Sequence, residues 1–246
     1  MDIRKGHFSL RPLQHLAQIL KIIFLGSLVF AAVFTFNRYD LSKLFLIKTV
    51  RVYGGPHLNH EEVQRLLLPL IHEGFFMVNV DNIRDRLLPL PWVADIFVRR
   101  DWPDQIEINI IEKQAIAYWN RESLLSETGE LFAPARDTYP LHLPLFVGPS
   151  GQQAVMLTYF NDMNRLLAPL HVKISYLELT PYLTWKLALD NGMRLQMGHK
   201  EVLNRLGDFV KVYPKIFRDR DAAHADSIDL RYPNGLAIRW KTAMNT

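Results

Sequence analysis

The sequence predicts an α+β protein with three parts: a single N-terminal transmembrane helix, a β-α-α-β-β domain, and a mostly antiparallel β domain packed by two helices. The first observation is one long apolar run, IIFLGSLVFAAVFTF, at residues 22–36. The second is a helical apolar period at residues 63–71, and the third is a period of two in most later apolar segments. A helical period and a strand period that both follow an apolar run of membrane length indicate a membrane-anchored protein that contains helices and strands.

Composition and charge narrow the class of protein. Of the 246 residues, 49% are hydrophobic and 22% are charged, which is typical of a globular chain. The net charge of +4 is mildly basic, but lysine and arginine are scattered without a dense basic run, so we predict no nucleic-acid partner. The sequence contains no cysteine, which removes thiol catalysis, disulfides and thiolate metal sites and is typical of an oxidising compartment.

The apolar run predicts an uncleaved transmembrane helix at residues 19–37. With Ile19 and Leu20 the run is long enough to cross a bilayer, and Lys21 can extend toward the inner headgroups. A buried soluble helix and a cleaved signal peptide are the alternatives. The first is disfavoured because the run is apolar on every face, and the second because FTFN at residues 34–37 offers no small-residue cleavage site.

The orientation of this helix does not follow from charge, because basic residues flank the run on both sides. Large C-terminal domains cross the membrane largely regardless of nearby charge, and the chain lacks cysteine. We therefore predict a cytoplasmic tail at residues 1–18 and an extracytoplasmic location for residues 38–246.

The β-α-α-β-β domain is predicted from the residues after the run. A strand at residues 46–53 ends in a Gly-Gly-Pro turn, and Asn59 followed by Glu62 is the N-terminal signature of a helix. A second, shorter helix begins at Asp81. The apolar faces of the two helices consist of Val63, Leu66, Leu67, Leu70, Ile71, Ile83 and Leu87.

Two alternating strands complete this domain as a hairpin. Pro103 presets the turn between them, and Trp102 beside it is expected to cover one edge of the domain core. The second strand runs on through Glu112 and Lys113 without the Gly, Ser or Pro of a flexible linker, which predicts a rigid connection to the next domain. The inward-facing residues of the hairpin are expected to be Ala94, Ile96, Val98, Ile106, Ile108 and Ile110.

The remaining residues predict a β-rich domain. Its strands begin at Ile116, and Asp190-Asn191-Gly192 and Pro233-Asn234-Gly235 are turn signals between later strands. The strands are predicted at residues 116–119, 124–126, 130–132, 145–147, 174–179, 185–189, 193–197, 228–232 and 236–240. One apolar stripe at helical spacing is interpreted as core: Met156, Phe160, Met163, Leu167 and Leu170. A second helix is predicted from the spacing of Leu203, Leu206, Val210 and Tyr213.

The element order and four short motifs resemble a POTRA domain. The motifs are PWV at 91–93, VRR at 98–100, WP at 102–103 and IIEK at 110–113. A POTRA domain that directly follows one membrane span and continues into a segment like AIAYW resembles the bacterial cell-division family FtsQ/DivIB. The resemblance covers essentially the whole chain and implies a POTRA domain at residues 45–114 and an FtsQ-type β domain at 115–246.

No catalytic constellation is present in the sequence. His60-Glu61-Glu62 lacks the second histidine of a helical zinc site, and the other histidines are dispersed. The glycine pairs lie in turns without the context of a phosphate loop, and no serine lies in a nucleophile elbow. We therefore predict no catalytic residues, metal ligands, cofactor or small-molecule substrate.

The resemblance implies a non-enzymatic divisome scaffold that links early and late division proteins at the septum. Such a protein passes once through the cell inner membrane, with its N-terminus cytoplasmic and its C-terminal domains periplasmic. FtsB and FtsL are the implied direct partners, and the septal peptidoglycan synthases FtsW and FtsI are implied indirect ones. The alternative is a POTRA-containing periplasmic chaperone-like module that binds outer-membrane or secreted proteins by strand addition.

The resemblance also implies a docking segment for FtsB, which joins the final hairpin as an added strand. A terminal strand can accept another chain, Gly235 permits a close backbone approach, and Tyr and Trp are frequent at binding hot spots. The turn at Asn234 departs from the family's common Asp-Ser-Gly. The alternative is that the two aromatic residues belong to the core of an ordinary sheet. By position, the contact segment is matched by Tyr232, Asn234, Gly235, Ala237 and Trp240.

Overall fold

The computed structural model describes residues 11–38, 45–72, 74–218, 224–232 and 235–241. It begins with helix α1 (Arg11–Arg38), whose described side chains, at residues 20–34, are exposed. Within the described part of the chain, no helix combines the length and apolarity that a membrane crossing requires. Residues 1–10 of the predicted cytoplasmic tail lie outside the described residues, and residues 11–18 belong to α1.

The first domain has the predicted order of strand, helix, helix, strand, strand. Its sheet order is β1-β3-β2, with β1 parallel to β3 and β2 antiparallel to β3. The Ala94 prediction is wrong, because a bulge between Val93 and Asp95 turns Val93 inward and leaves Ala94 exposed. The elements are β1 (Thr49–Gly54), α2 (His60–Ile71), α3 (Val80–Leu87), β2 (Val93–Asp101) and β3 (Gln105–Glu112).

Asparagine side chains begin both helices of this domain. The Asn59 carboxamide oxygen accepts the Glu61 amide at 2.9 Å, and the Asn79 oxygen accepts the Asp81 amide at 2.8 Å. The predicted cap at Asn59 is confirmed, although its side chain bonds to the amide of Glu61 and not to that of Glu62. The helices then bury their apolar faces on the sheet, and this core includes Val63, Leu67, Ile83, Leu87, Ile96, Ile106, Ile108 and Ile110.

The predicted role of Trp102 in the core is wrong, because its side chain is 70% exposed. The Trp102–Pro103 peptide is cis and belongs to the turn between β2 and β3, outside the strand register. An amide hydrogen bond of 2.9 Å from Lys48 to the Asp104 carbonyl joins this turn to the residues that precede β1. The inward face of the sheet is already filled by isoleucines, so the indole ring remains outside the core.

The second domain is built on a nine-stranded sheet in the order β12-β11-β10-β9-β8-β7-β4-β5-β6. Five neighbouring pairs are antiparallel and three, β4/β7, β7/β8 and β10/β11, are parallel, so the sheet is mostly antiparallel as predicted. The strands are β4 (Ala115–Trp119), β5 (Ser123–Ser126), β6 (Leu131–Phe132), β7 (Leu145–Val147), β8 (Ile174–Leu179), β9 (Trp185–Leu189), β10 (Arg194–Gly198), β11 (Ala225–Asp229) and β12 (Ala237–Trp240).

Two helices, α4 (Gln153–Leu167) and α5 (Val202–Ile216), pack on this sheet and on each other. Short 3₁₀ turns lie at Arg136–Thr138 and Ala168–Leu170. The predicted methionine stripe belongs to the core, as the fully buried Met156 shows. One continuous cluster contains the inward residues of both helices and the sheet, among them Phe146, Met163, Leu167, Leu177, Leu206, Phe209 and Ile228.

The two domains are joined through Trp92, which is 3% exposed. Its ring lies edge-to-face on Phe132 at 5.1 Å between centroids, and its indole nitrogen donates to the Thr138 hydroxyl at 2.8 Å. Its carbonyl accepts the amide of Lys113 at 2.7 Å, and the Lys113 ammonium contacts Glu130 at 2.7 Å. A residue of the first domain is therefore packed into the second, which supports the predicted rigid connection.

Replacing Trp92 with alanine is expected to destabilise the protein by about 3–5 kcal/mol, because it leaves a cavity at the junction and removes the hydrogen bond to the Thr138 hydroxyl. Trp102→Ala is the matched control, and its exposed ring predicts a change within about 0.5 kcal/mol. Denaturant unfolding followed by fluorescence and circular dichroism measures both. Equal losses of stability in the two variants would contradict the assignment of Trp92 as the joining contact.

Candidate partner-binding edge

The terminal strand of the larger sheet is the candidate site. β12 pairs with β11 on one side and, among the described residues, has no strand on its other side. The Lys241 amide donates to the His224 carbonyl at 2.8 Å, so strand alternation turns the amide of Arg239 toward β11 and that of Ile238 outward. An outward-facing backbone of this kind can pair with a strand from another chain.

Four of the five predicted contact residues are described, and Asn234 lies outside the described residues. Tyr232 is 56% exposed, and Gly235 and Ala237 are exposed as well. A Cβ atom added at Gly235 would meet no atom within 4 Å, so the space beside it is open. Trp240 is half-buried, with its ring 6.0 Å from that of Phe217 in an edge-to-face arrangement. The alternative that both aromatic residues belong to the core therefore holds for one side of Trp240 and does not hold for Tyr232.

The strand prediction at residues 228–232 is shifted from the observed β11 by three residues. The sequence before Ala225 is rich in charged residues, so its pattern does not indicate where the strand begins. The pairing of Ala225 with Trp240 shows that β11 begins at Ala225. At the other end, the Leu230 amide donates to the Gln196 carbonyl at 2.8 Å, after which the chain leaves the sheet. Tyr232 consequently belongs to the connection between β11 and β12, where its ring is exposed.

A cleft of about 480 Å³ lies beside this edge, between α5 and the connection from β11 to β12. Its apolar lining includes Phe209, Leu230 and Leu236, and the two predicted contact residues Tyr232 and Gly235 also line it. These two residues lie in the connection that leads into β12, and Leu236 immediately precedes the strand, so the cleft opens next to the start of the edge. A chain that pairs with β12 therefore has an adjoining apolar space for a side chain.

Three strands are tied together by Asp226 of β11. Its carboxylate accepts hydrogen bonds from Arg194 of β10 and, at 2.8 Å, from Arg239 of β12. The Arg194 guanidinium, followed by that of Arg239, holds the pKa of the Asp226 carboxyl below its usual range, although partial desolvation opposes this shift. The terminal strand is thus fixed by a charge cluster in addition to its backbone pairing.

A second pair holds the backbone that leads to Tyr232. The Arg231 guanidinium donates to the Asp229 carboxylate at 2.6 Å and 2.9 Å, which lowers the pKa of Asp229 and raises that of Arg231. Arg205 of α5 donates to the Leu230 and Arg231 carbonyls at 3.1 Å and 2.7 Å. Asp226, Asp229 and Arg205 were not predicted from the sequence. The spacing of Asp229 and Arg231 was a signal for that pair. The partners of Asp226 lie on other strands and Arg205 binds backbone oxygens, so neither leaves a sequence signal.

The described residues include no group of three His, Asp or Glu side chains placed to hold a metal ion. The arrangement at this edge consists of backbone groups, an apolar cleft and fixed charges. Chemically, it is suited to binding an extended segment of another protein.

Comparisons with known proteins cover both domains. The model of the FtsQ-type POTRA domain matches residues 45–113, and the model of the C-terminal domain of cell division protein FtsQ/DivIB matches residues 117–231. The cell division protein FtsQ of Coxiella burnetii is 32% identical over 238 residues, 97% of this chain and 97% of the relative. That of Acinetobacter oleivorans is 32% identical over 83% of this chain and 73% of its own. That of Escherichia coli is 29% identical over 82% of this chain and 75% of its own.

The charge cluster predicts an acid dependence of stability. The pKa of Asp226 is lower in the folded state than in the unfolded state, so its stabilising effect is present above the usual aspartate pKa, near 4. This effect is lost as pH falls through the lowered folded value. Asp226→Asn should therefore be less stable than the parent at pH 6, and the difference should shrink as the pH approaches 2.

Denaturant unfolding between pH 6 and pH 2 measures this difference. Asp208→Asn is the control, because it removes the same charge from an exposed pair with Lys211 on one helix. A constant difference between Asp226→Asn and the parent at every pH would show that Asp226 acts through shape and not through charge.

Proposed function

Because the chain belongs to the FtsQ/DivIB family of cell division proteins, we propose that it is a non-enzymatic divisome scaffold in bacterial septation. In this role it links early and late division proteins and supports control of septal peptidoglycan synthesis. The observation that supports the proposal best is the terminal strand β12, with an outward-facing backbone beside an apolar cleft. A scaffold requires binding surfaces and no reacting groups, which agrees with a sequence that lacks a catalytic constellation.

FtsB is the proposed direct partner at this edge, and FtsL accompanies it. An extended FtsB segment adds to β12 as a further strand, with backbone bonds along the edge. The contact residues are Tyr232, Asn234, Gly235, Ala237 and Trp240. The exposed Tyr232 ring, the open space at Gly235 and the small side chain of Ala237 support this assignment. The synthases FtsW and FtsI depend on the resulting assembly without direct contact here.

The chain is anchored in the cell inner membrane at the division septum by a single pass at residues 19–37. Its N-terminus is cytoplasmic and both folded domains are periplasmic. The exposed, apolar side chains of α1 support this anchoring, since no charged residue lies between Lys21 and Arg38. The absence of cysteine agrees with a periplasmic location for the domains.

Tyr232→Ala is expected to weaken binding of the extracytoplasmic part of FtsB at least tenfold, a loss of about 1.4 kcal/mol or more. Trp240→Ala should weaken it by a similar factor, and circular dichroism should show that both variants stay folded. Tyr182→Ala is the matched control, because Tyr182 is 88% exposed in the turn between β8 and β9. Unchanged affinity in folded Tyr232→Ala and Trp240→Ala would place the docking site elsewhere.

Two variants at one position distinguish backbone hydrogen bonding by an added strand from contacts made by side chains. Ile238→Pro removes the outward amide of β12, and Ile238→Ala removes the same side chain but keeps the amide. FtsB affinity should fall at least tenfold further for the proline variant than for the alanine variant. Binding measured on the full chain in detergent decides this, and equal affinities would exclude a backbone bond at this position.

A reporter enzyme that is active only in the periplasm, fused after Thr246, should be active if the domains lie outside the inner membrane. The cytoplasmic counterpart, a reporter active only in the cytoplasm and fused at the same position, should be inactive. The reverse pattern of activities would contradict the proposed topology. FtsB affinity is measured separately on the purified chain, so the two properties can fail independently.

A further inference from the structure

Four large apolar side chains of the POTRA domain are exposed at one end of its sheet. They belong to three separate chain segments, and none has a place in the domain core. We call this surface the apolar pole: Leu46, Phe76, Met77 and Trp102, with exposed fractions of 54%, 52%, 64% and 70%. Exposed tryptophan, phenylalanine and methionine grouped in this way indicate a surface that binds something.

Specific contacts hold the three segments together. The Lys48 amide donates to the Asp104 carbonyl at 2.9 Å, which joins the turn containing Trp102 to the residues before β1. The Phe75 amide donates to the Phe45 carbonyl at 2.7 Å, and the Phe45 and Phe76 rings lie edge-to-face at 5.1 Å. These bonds fix the loop between α2 and α3 to the same residues.

The end of β2 is tied to the same loop. The Arg100 guanidinium donates to the Val78 carbonyl at 2.7 Å, one residue after Met77. The apolar pole is therefore a built surface, held by bonds between all three segments, and is not three unrelated exposures.

The position of the apolar pole in the chain indicates what covers this surface. Helix α1 ends at Arg38, and the seven residue steps from there to Phe45 span at most about 25 Å. The pole therefore lies within that distance of the outer end of the proposed membrane span. Tryptophan favours the bilayer interface, because its ring is apolar and its indole N–H needs a polar partner. The side chain of Lys48 is 77% exposed, but its ammonium pairs with the Asp104 carboxylate at 2.9 Å, so the apolar side chains and not this charge support the assignment to the bilayer.

The junction with the second domain lies at the end of the POTRA domain opposite the apolar pole. β3 begins at Gln105, beside the turn of the pole, and ends at Glu112, beside the junction with the second domain. Its seven residue steps from Gln105 to Glu112 extend about 24 Å. A bilayer at the pole is therefore compatible with free access to the second domain, whereas a bilayer at the junction would cover Trp92 and its partners.

We propose that the apolar pole docks into the headgroup region of the outer leaflet of the inner membrane, so that the POTRA domain stands on the bilayer in a fixed orientation. This rests on the proposed anchoring by residues 19–37. The chain is held at two places, the span and the pole, and the residues between them are too few for the domain to move far from the surface.

The absence of cysteine permits a direct test on the full chain. Met77→Cys and Trp102→Cys, each labelled with an environment-sensitive dye, are reconstituted in nanodiscs of phosphatidylethanolamine and phosphatidylglycerol. We expect doxyl groups near the headgroup end of the lipid chains to quench both labels, and aqueous iodide to quench them weakly. Tyr182→Cys is the control on an exposed turn of the second domain, where iodide alone should quench.

A label at Phe30→Cys separates this proposal from the anchoring on which it rests, because Phe30 lies in the apolar part of α1. Lipid quenching at Phe30 with free iodide access at Met77 and Trp102 would overturn the docking of the pole and leave the anchor standing. No lipid quenching at Phe30 would overturn both. Labels at the pole that are shielded from iodide but not quenched by lipid would show that a protein, including a second copy of this chain, covers it instead.

A substitution test uses the Met77→Cys label as the readout. Phe76→Ser combined with Trp102→Ser should raise the iodide quenching of this label several-fold and reduce its lipid quenching. The matched control is Leu141→Ser combined with Tyr182→Ser, two exposed apolar residues of the second domain. If the pole substitutions leave the quenching at Met77 unchanged, its apolar side chains do not hold the domain on the membrane.

Discussion

The burial of Trp92 between the two domains is the contact on which the placement of both proposed binding surfaces depends. Its carbonyl holds the chain at Lys113, and its ring and indole nitrogen are held by Phe132 and Thr138 of the next domain. His57 stacks on the outer face of the ring at 4.4 Å between centroids and bonds to Glu112 at the end of β3. Because the ring is fixed from both sides, β3 and β4 act as one continuous support, and a displacement of one domain must move the other.

The candidate edge is held in place by its own local contacts, which a terminal strand needs. A short strand at the end of a sheet gains backbone bonds on one side only, so fraying competes with pairing. Asp226 counters this by bonding to arginines on both neighbouring strands, and Arg205 holds the two carbonyls that precede Tyr232. An edge that is already ordered loses less conformational entropy when a second chain adds to it, which favours affinity.

Local patterns were sufficient to predict the order of elements and most of the core, whereas contacts between distant segments were not. Periodicity alone was enough to predict which face of an element is buried. This holds for the isoleucines of β3, such as Ile108, and for the stripe containing Met163. The sequence could not show that β7 lies between β4 and β8, since that order depends on pairing across long connections. For the same reason Trp102 was expected to cover one edge of the core, although the helices and the isoleucines had already filled that space. At the candidate edge, residue type alone indicated Tyr232 as a contact residue. Only the folded structure shows that Arg205 holds the backbone that precedes it.

The two surfaces together constrain how a partner reaches the edge. With the proposed docking of the apolar pole, β3 raises the junction at Glu112 above the membrane by at most its own length, about 24 Å, which is reached when the strand stands upright. A partner anchored in the same membrane must cover the distance from the bilayer to β12 before its strand can pair there. A spacer that reaches the height of an upright junction has about 16 residues if it is helical, or about seven if it is extended. A rigid junction makes this height constant, whereas a flexible one would let the second domain approach the membrane and remove the requirement. The rigidity at Trp92 thus means that the proposed docking of one domain sets a required length for the proposed partner of the other.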